Sequence, residues 1–222
     1  KEDIEDDLNL IRQFYRNNGY FNTEVAVSVT FITQSTDRAT VKEGPPGQTT
    51  AASRRADQSP TPDLPRVKLS FSVVEGPPVI VESIDIDVSP PSDETLPATL
   101  KAELPLKPGQ VFRTADYEDA KRFLTRGLGN RGYPFAEVVG QAVIDPKVHQ
   151  AKLIFRVNTG PLSVFGPITI NQDGTKVSEK VIRRALVFSE GQKYNAGKVE
   201  TSRRNLIRLD VFRTALIQPE RP

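Results

Sequence analysis

The spacing of apolar residues alternates between a helical and a strand period from the first residues onward. Apolar side chains from Ile4 to Tyr15 recur at helical spacing and predict an amphipathic helix over residues 3–18. Strict alternation over Val25–Phe31 and Val67–Val73 predicts two half-buried strands of one hairpin. Between them, residues 34–65 are proline-rich and poor in large apolar residues, which predicts a long flexible loop inserted in that hairpin.

The central part of the chain predicts a strand, two helices and two further strands, an α+β unit. The first strand runs from Ile80 to Val88, and the last two occupy residues 135–145 and 151–158. The C-terminal part begins in the same way, with Ile168 and Ile170 in its first strand, two helices, and a strand starting within Phe212–Ile217.

Three pairs of segments repeat. Lys68–Pro77 recurs as Lys152–Pro161, an offset of 84 residues. Asn17–Val25 returns as Asn130–Val138, and a Gly-Gln-x-aromatic turn occurs at Gly109 and again at Gly191. We therefore predict tandem modules of about 80 residues. Their predicted bounds are 1–76 (lacking its first strand and helix, with the insertion 34–65), 77–160 (complete) and 161–222 (lacking its last strand).

Composition excludes some classes of function. The net charge is +2, so no overall field favours nucleic acid, and the absence of cysteine excludes disulfides and thiol chemistry. No apolar run has the length of a membrane helix, and no signal peptide is recognised.

No catalytic, cofactor or metal site is predicted. The single histidine, His149, falls in a turn without further ligand types nearby. Asp85 and Asp87 share one strand face and are expected to be solvated. Gly127–Gly132 fits G-x-G-x-x-G, but it follows a helix and precedes a strand, the reverse of the dinucleotide-binding context.

Residues 175–213 hold ten Lys or Arg and four acids. A solvated helix face would explain this excess, and contact with anionic lipid or an acidic partner surface is the functional alternative. Single-stranded nucleic acid is disfavoured because the aromatic residues here match core positions. The candidate basic face comprises Arg183, Arg184, Arg203, Arg204 and Arg208.

The order of elements, the Gly-Pro joints at 76–77 and 160–161, and the helix–Gly-Tyr–strand turns at 19–20 and 132–133 resemble the POTRA (polypeptide-transport-associated) domains. These domains precede the membrane barrel of outer-membrane protein assembly factors. The segments Gly160–Ile170 and Leu209–Ala215 look most like the TamA (translocation and assembly module) branch, while BamA and two-partner secretion transporters share the module.

This resemblance implies a three-stranded mixed sheet packed on two helices, at the periplasmic face of the bacterial outer membrane. It implies outer-membrane client polypeptides and a TamB-type, inner-membrane-anchored subunit as partners, with neither cofactor nor nucleic acid. The strand after the second helix would lie at a sheet edge and bind an extended segment by β-augmentation. The residues so implied are Val25, Val27, Val29, Phe31, Ala136, Val138, Val139 and Ile144.

Two alternatives stay open. A BamA-like or two-partner-secretion chain would use the same modules, with lipoprotein partners in the BamA-like case. An inner-membrane cell-division or secretion scaffold would use POTRA modules without a barrel.

Overall fold

The computed structural model describes residues 2–32, 66–90, 94–172 and 177–220. The predicted loop 34–65 lies outside the described residues. The chain forms two compact units, the first built from Lys1–Arg12 with Glu24–Val74 and the second from Gln13–Thr23 with Glu75–Pro222.

An antiparallel hairpin dominates the first unit. Strand β1 (Glu24–Ile32) pairs with β2 (Arg66–Val74) so that Val27 lies opposite Phe71. Alternate apolar residues of both strands share one face because side chains alternate along a strand. That face is only partly covered, and Phe71 is 42% exposed. Helix α1 (Glu2–Asn17) begins in this unit, and its last turn belongs to the second.

The second unit contains a complete strand-helix-helix-strand-strand repeat. Its elements are β3 (Ile80–Ser89), α2 (Leu96–Glu103), α3 (Thr114–Asn130), β4 (Glu137–Asp145) and β5 (Gln150–Asn158). The strand order is β3-β5-β4, with β3 parallel and β4 antiparallel to β5. This confirms the predicted α+β class and the mixed three-stranded sheet.

The core lies between the inner face of this sheet and helices α2 and α3. Leu153 and Phe155 on the central strand are fully buried, as are Leu100 of α2 and Leu124 of α3. Tyr117 stacks on Phe155 with ring centroids 5.6 Å apart. Burying large side chains of this kind contributes roughly 1.5–3 kcal/mol each, and this repeat holds the largest cluster of buried apolar residues among those described.

The C-terminal part has a smaller core. Helices α4 (Glu179–Ala185) and α5 (Ala196–Arg208) contact each other, and beside them the ring of Phe165 stacks on that of Phe188 with centroids 4.0 Å apart. The buried Ser202 hydroxyl accepts from the Val187 N–H at 2.9 Å and donates to the Lys198 carbonyl at 2.8 Å.

Two predicted strands of this C-terminal part are wrong. The segment containing Ile168 and Ile170 forms no strand, and neither does Phe212–Ile217. In the middle repeat β5 lies between β3 and β4 and pairs with both. No described strand takes that central position here, so both segments stay unpaired. An isolated bridge joins Val164, which precedes the first segment, to Lys193.

Candidate functional site

The outer edge of β4 is an open backbone surface of the second unit. One side of β4 pairs with β5, whereas the described residues provide no backbone partner for the other side from Val138 to Ile144. Such an edge presents unpaired N–H and C=O groups to any extended chain. The opposite edge of the sheet is partly covered, because the Val81 N–H donates to the Gln110 carbonyl at 2.8 Å and Val81 O accepts from Gly109.

The two faces of β4 differ in polarity and burial. Val138 and Ile144 are partly buried against the core, and Ala136 lies immediately before the strand. Val139 points to the other face and is 62% exposed. Tyr117 holds the strand from inside: a Cβ on Gly140 would lie 2.2 Å from its hydroxyl oxygen. Burial raises the pKa of Tyr117, which keeps this hydroxyl protonated.

Of the residues predicted in the first hairpin, Val25 is buried, Val27 is partly buried and Val29 is 49% exposed. Phe31 lies in β1 near its end. Since this sheet has only two described strands, both β1 and β2 carry an outer edge. The structure therefore gives β1 no advantage over β2 as a docking strand.

A backbone joint follows α3. Gly132 adopts φ 101°, which an L side chain disfavours, and the chain turns there from helix to strand. The Gly132 carbonyl accepts from the Ser163 N–H at 2.8 Å, and the Ser163 carbonyl accepts from the Tyr194 N–H at 3.0 Å. Two consecutive backbone hydrogen bonds thereby connect residues 132, 163 and 194 across the Gly-Pro joint.

Two asparagines add a second connection. The Asn130 Oδ1 accepts from the Gly197 N–H at 2.8 Å, in the first turn of α5. Asn195 caps the same helix by accepting from the Lys198 N–H at 2.9 Å, and its Nδ2 donates to the Asn130 carbonyl at 3.0 Å. The N-terminus of α5 is thus capped from its own repeat and from the repeat before it.

A groove of about 840 Å³ lies between α3, the start of β4 and α5. Its floor is made by small residues: a Cβ on Gly129 would lie 2.9 Å from that of Ala196. Tyr133, Val138 and Tyr194 supply apolar wall, and burial raises the pKa of Tyr194. We call this the joint groove. Its charged lining residues are Glu118, Lys121, Arg122, Arg126, Glu200 and Arg204.

The charges of the joint groove are unevenly neutralised. Lys121 pairs with Glu118 at 3.1 Å, and Arg122 pairs with Asp119. Glu200 pairs with Arg203 at 2.9 Å; this hydrogen bond, reinforced by the charges of Arg203 and more distant arginines, holds the pKa of Glu200 below its usual range. Within the described residues, Arg126 and Arg204 have no ion-pair partner within 4.0 Å.

The five arginines predicted to form a basic face have different surroundings in the structure. Arg183 pairs with Glu179 and Glu190 and donates to the Ile168 carbonyl, and Arg203 is paired with Glu200. Arg204 lines the joint groove, while Arg184 and Arg208 are exposed. A lipid- or partner-facing basic surface stays a prediction.

The other residues considered as chemical groups, His149 and Asp85, do not line the joint groove. His149 is in the β4–β5 turn, where its carbonyl accepts from the Ile80 N–H at 2.9 Å. Asp85 is exposed on β3 and lies 3.9 Å from Lys101. In the part of the chain that the structure describes, no three His, Cys, Asp or Glu side chains form a metal-binding group.

Sequence reasoning missed Asn130, Asn195 and Arg126. The two asparagines meet across 65 residues, so neither shows its partner locally. The Asn195–Lys198 cap did have a signal, because asparagine directly precedes a helical pattern there.

Comparison with known proteins identifies the family. The POTRA family model, described as surface antigen variable number repeat, matches residues 1–76, 80–160 and 164–221. Because these matches span most of the chain, this protein belongs to the POTRA family.

One solved structure shares the fold at a TM-score above 0.5, and a second is matched more weakly. POTRA3-5 of Haemophilus influenzae BamA matches with 22% identity over 95% of this chain and 71% of that chain, at a TM-score of 0.58. POTRA1-3 of the periplasmic domain of Omp85 from Anabaena matches at 16% identity over 94% and 72%, with a TM-score of 0.35. None of the helices among the described residues is long and apolar enough to cross a membrane.

Proposed function

We propose that this chain is the periplasmic POTRA region of a TamA-like outer-membrane assembly and translocation factor, and that it binds client or partner polypeptides by β-augmentation. Membership in the POTRA family supports the general role. The TamA branch rests on the resemblance of Gly160–Ile170 and Leu209–Ala215.

The single observation that carries the mechanism is the open edge of β4. Main-chain hydrogen bonds to an incoming strand are tolerant of sequence, which suits a surface that receives many different clients. The exposed Val139 and Val143 offer apolar contacts on the outer face, and the packed core behind β4 holds the edge rigid. A rigid edge lowers the entropic cost of docking.

A proline scan from Val138 to Val143 tests this proposal. Alternate N–H groups of β4 point to β5 and to solvent, so one set of prolines breaks the sheet and the other removes only outward donors. Thermal unfolding followed by circular dichroism separates the two sets. The stable set should lose binding of a labelled, strand-forming client peptide, while proline in the β4–β5 turn at Val148 serves as the matched control. Unchanged binding by every stable variant would contradict β-augmentation at β4.

The TamA-level assignment needs a separate experiment. A TamB-type subunit should be retained by the immobilised chain, and lipoproteins of the BamA type should not. Retention of the lipoproteins alone would favour the BamA-like alternative. A partner anchored by an inner-membrane division complex would favour the scaffold without a barrel.

A further inference from the structure

We infer that the joint groove selects extended polypeptides that carry acidic side chains beside the segment that pairs with β4. This inference rests on the proposed docking at β4 and adds the class of polypeptide that binds there. The groove opens where β4 begins, because Ala136 and Val138 line it. A strand added to the β4 edge therefore has to run past, or end in, this groove.

The shape of the joint groove depends on residues without side chains. Gly129 and Gly197 both lie in its lining, and a Cβ on Gly197 would approach the Oδ1 atoms of Asn195 and Asn130 to 3.2 and 3.3 Å. Larger residues at these positions would push α3 and α5 apart. The apolar wall formed by Tyr133, Pro134 and Tyr194 offers contact area to a peptide main chain and its apolar side chains.

The charge of the joint groove indicates what it prefers. Four of its lining residues are cationic and two are anionic. Both anions are already paired with Lys or Arg, and the Arg122 guanidinium is paired with Asp119. Arg126 on α3 and Arg204 on α5 remain for a ligand, one from each side of the groove. A carboxylate between these helices would be reached by a guanidinium from either wall, and bidentate pairing with carboxylates is the geometry that arginine favours.

Both arginines are suited to testing because their replacement is expected to leave the fold intact. Arg126 and Arg204 are exposed, and among the described residues the sole side-chain hydrogen bond of either is a 3.4 Å contact from Arg204 to the Thr201 hydroxyl. Arg208 is the matched control, since it lies one helical turn beyond Arg204 on α5 and does not line the groove.

Four labelled peptides with the same alternating Val-Thr core test the inference by fluorescence anisotropy. One carries a neutral Gln pair, one a Lys pair, and two carry a Glu pair at either end, because the groove does not fix the strand direction. One acidic peptide should bind roughly fivefold tighter than the neutral peptide. The R126Q/R204Q double variant should lose this preference while R208Q keeps it, and the preference should shrink as salt rises.

Results that contradict the acidic preference differ from results that contradict β-augmentation itself. Equal binding of acidic, neutral and basic peptides would overturn the inference and leave docking at β4 in place. Tighter binding of the Lys peptide would also overturn it. If no peptide binds the wild-type chain, both the inference and the proposed β-augmentation fail.

Discussion

Strands β2 and β5 share the pattern Lys-Leu-x-Phe-x-Val and lie in different surroundings. Leu69 and Phe71 of β2 match Leu153 and Phe155 of β5 in the 84-residue repeat. The β5 pair is fully buried, whereas Leu69 is 44% and Phe71 is 42% exposed. In the second unit β5 has a strand on each side and helices across its inner face, while β2 pairs only with β1 among the described residues.

The difference shows which property belongs to the repeat and which to its surroundings. Both copies keep the alternation, the strand and the following glycine turn, because these depend on local sequence. Burial differs because it requires long-range partners. Matched positions of the two strands should therefore contribute unequally to the free energy of unfolding.

The largest effect is expected for the matched phenylalanines. Phe155→Ala removes a buried ring that stacks on Tyr117 and should lower the free energy of unfolding of the second unit by about 3–5 kcal/mol. Phe71→Ala removes a half-exposed ring and should cost the first unit about 1 kcal/mol. Hydrogen exchange read by mass spectrometry resolves the two units, which matters because the chain has no tryptophan for fluorescence. Similar losses in both variants would contradict the smaller contribution expected of Phe71.

The two helix–Gly-Tyr turns allow a second comparison. The Gly19 carbonyl accepts from the Val79 N–H at 2.8 Å, as the Gly132 carbonyl does from Ser163, and both glycines have φ near 100°. Their surroundings differ: a Cβ on Gly19 would lie 2.4 Å from the backbone oxygen of Phe112, whereas on Gly132 it would meet the mobile ends of Lys193 and Leu162.

Alanine should therefore be tolerated better at Gly132 than at Gly19. Backbone strain costs both variants roughly 1–2 kcal/mol. Overpacking against a fixed carbonyl should add about 1–3 kcal/mol for Gly19→Ala alone. Urea unfolding followed by circular dichroism measures the difference. Equal midpoints for the two variants would mean that the backbone around Phe112 yields as easily as a lysine side chain.

For asparagines at matched positions of the repeat, we expect a smaller difference in the cost of replacement by alanine. Asn130 Oδ1 accepts from the Gly197 N–H at 2.8 Å, whereas the Oδ1 of Asn17, its counterpart, accepts from the Thr114 hydroxyl at 3.4 Å. Asn130→Ala should cost about 1 kcal/mol, seen as faster amide exchange in the first turn of α5. Asn17→Ala should cost a few tenths and leave α3 unchanged. Loss of protection throughout the middle repeat in the Asn130 variant would contradict a local capping role.

How much of the structure the sequence predicts depends on how far apart in sequence the interacting residues lie. Alternation located β4 and β5 closely, because each strand has one buried and one exposed face. The same alternation failed at Ile168 and Ile170, where the chain has the strand pattern but no described partner to pair with. Pairing is a property of two segments, so a pattern in one of them is insufficient.

The candidate site, like the fold, was only partly predictable from the sequence. The edge position of β4 was an implication of the resemblance to POTRA domains rather than of local patterns, and the strand order β3-β5-β4 agrees with it. The joint groove was not predictable, because Arg126 and Arg204 approach it from helices that are far apart in sequence. Nor could composition separate paired from unpaired arginines: Arg203 and Arg204 are neighbours, yet only Arg203 is held by Glu200.

The smallest predicted effect concerns two ion pairs that occupy matched helical positions. Glu118 pairs with Lys121 on α3, and 82 residues later Glu200 pairs with Arg203 on α5, where Nε and one terminal nitrogen bind separate carboxylate oxygens. This fork holds the pKa of Glu200 below its usual range, so the pair stabilises the fold above the unfolded pKa of glutamate and loses that contribution as pH falls through the lowered value.

Arg203→Lys replaces the fork by a single ammonium and makes the second pair resemble the first. The Glu200 pKa should then rise towards its ordinary value, as followed by carboxyl carbon NMR, with Arg208→Lys as the control that leaves it unchanged. A pKa that stays low in the Arg203→Lys variant would show that the charges of Arg126 and Arg204, rather than the fork, set the ionisation of Glu200.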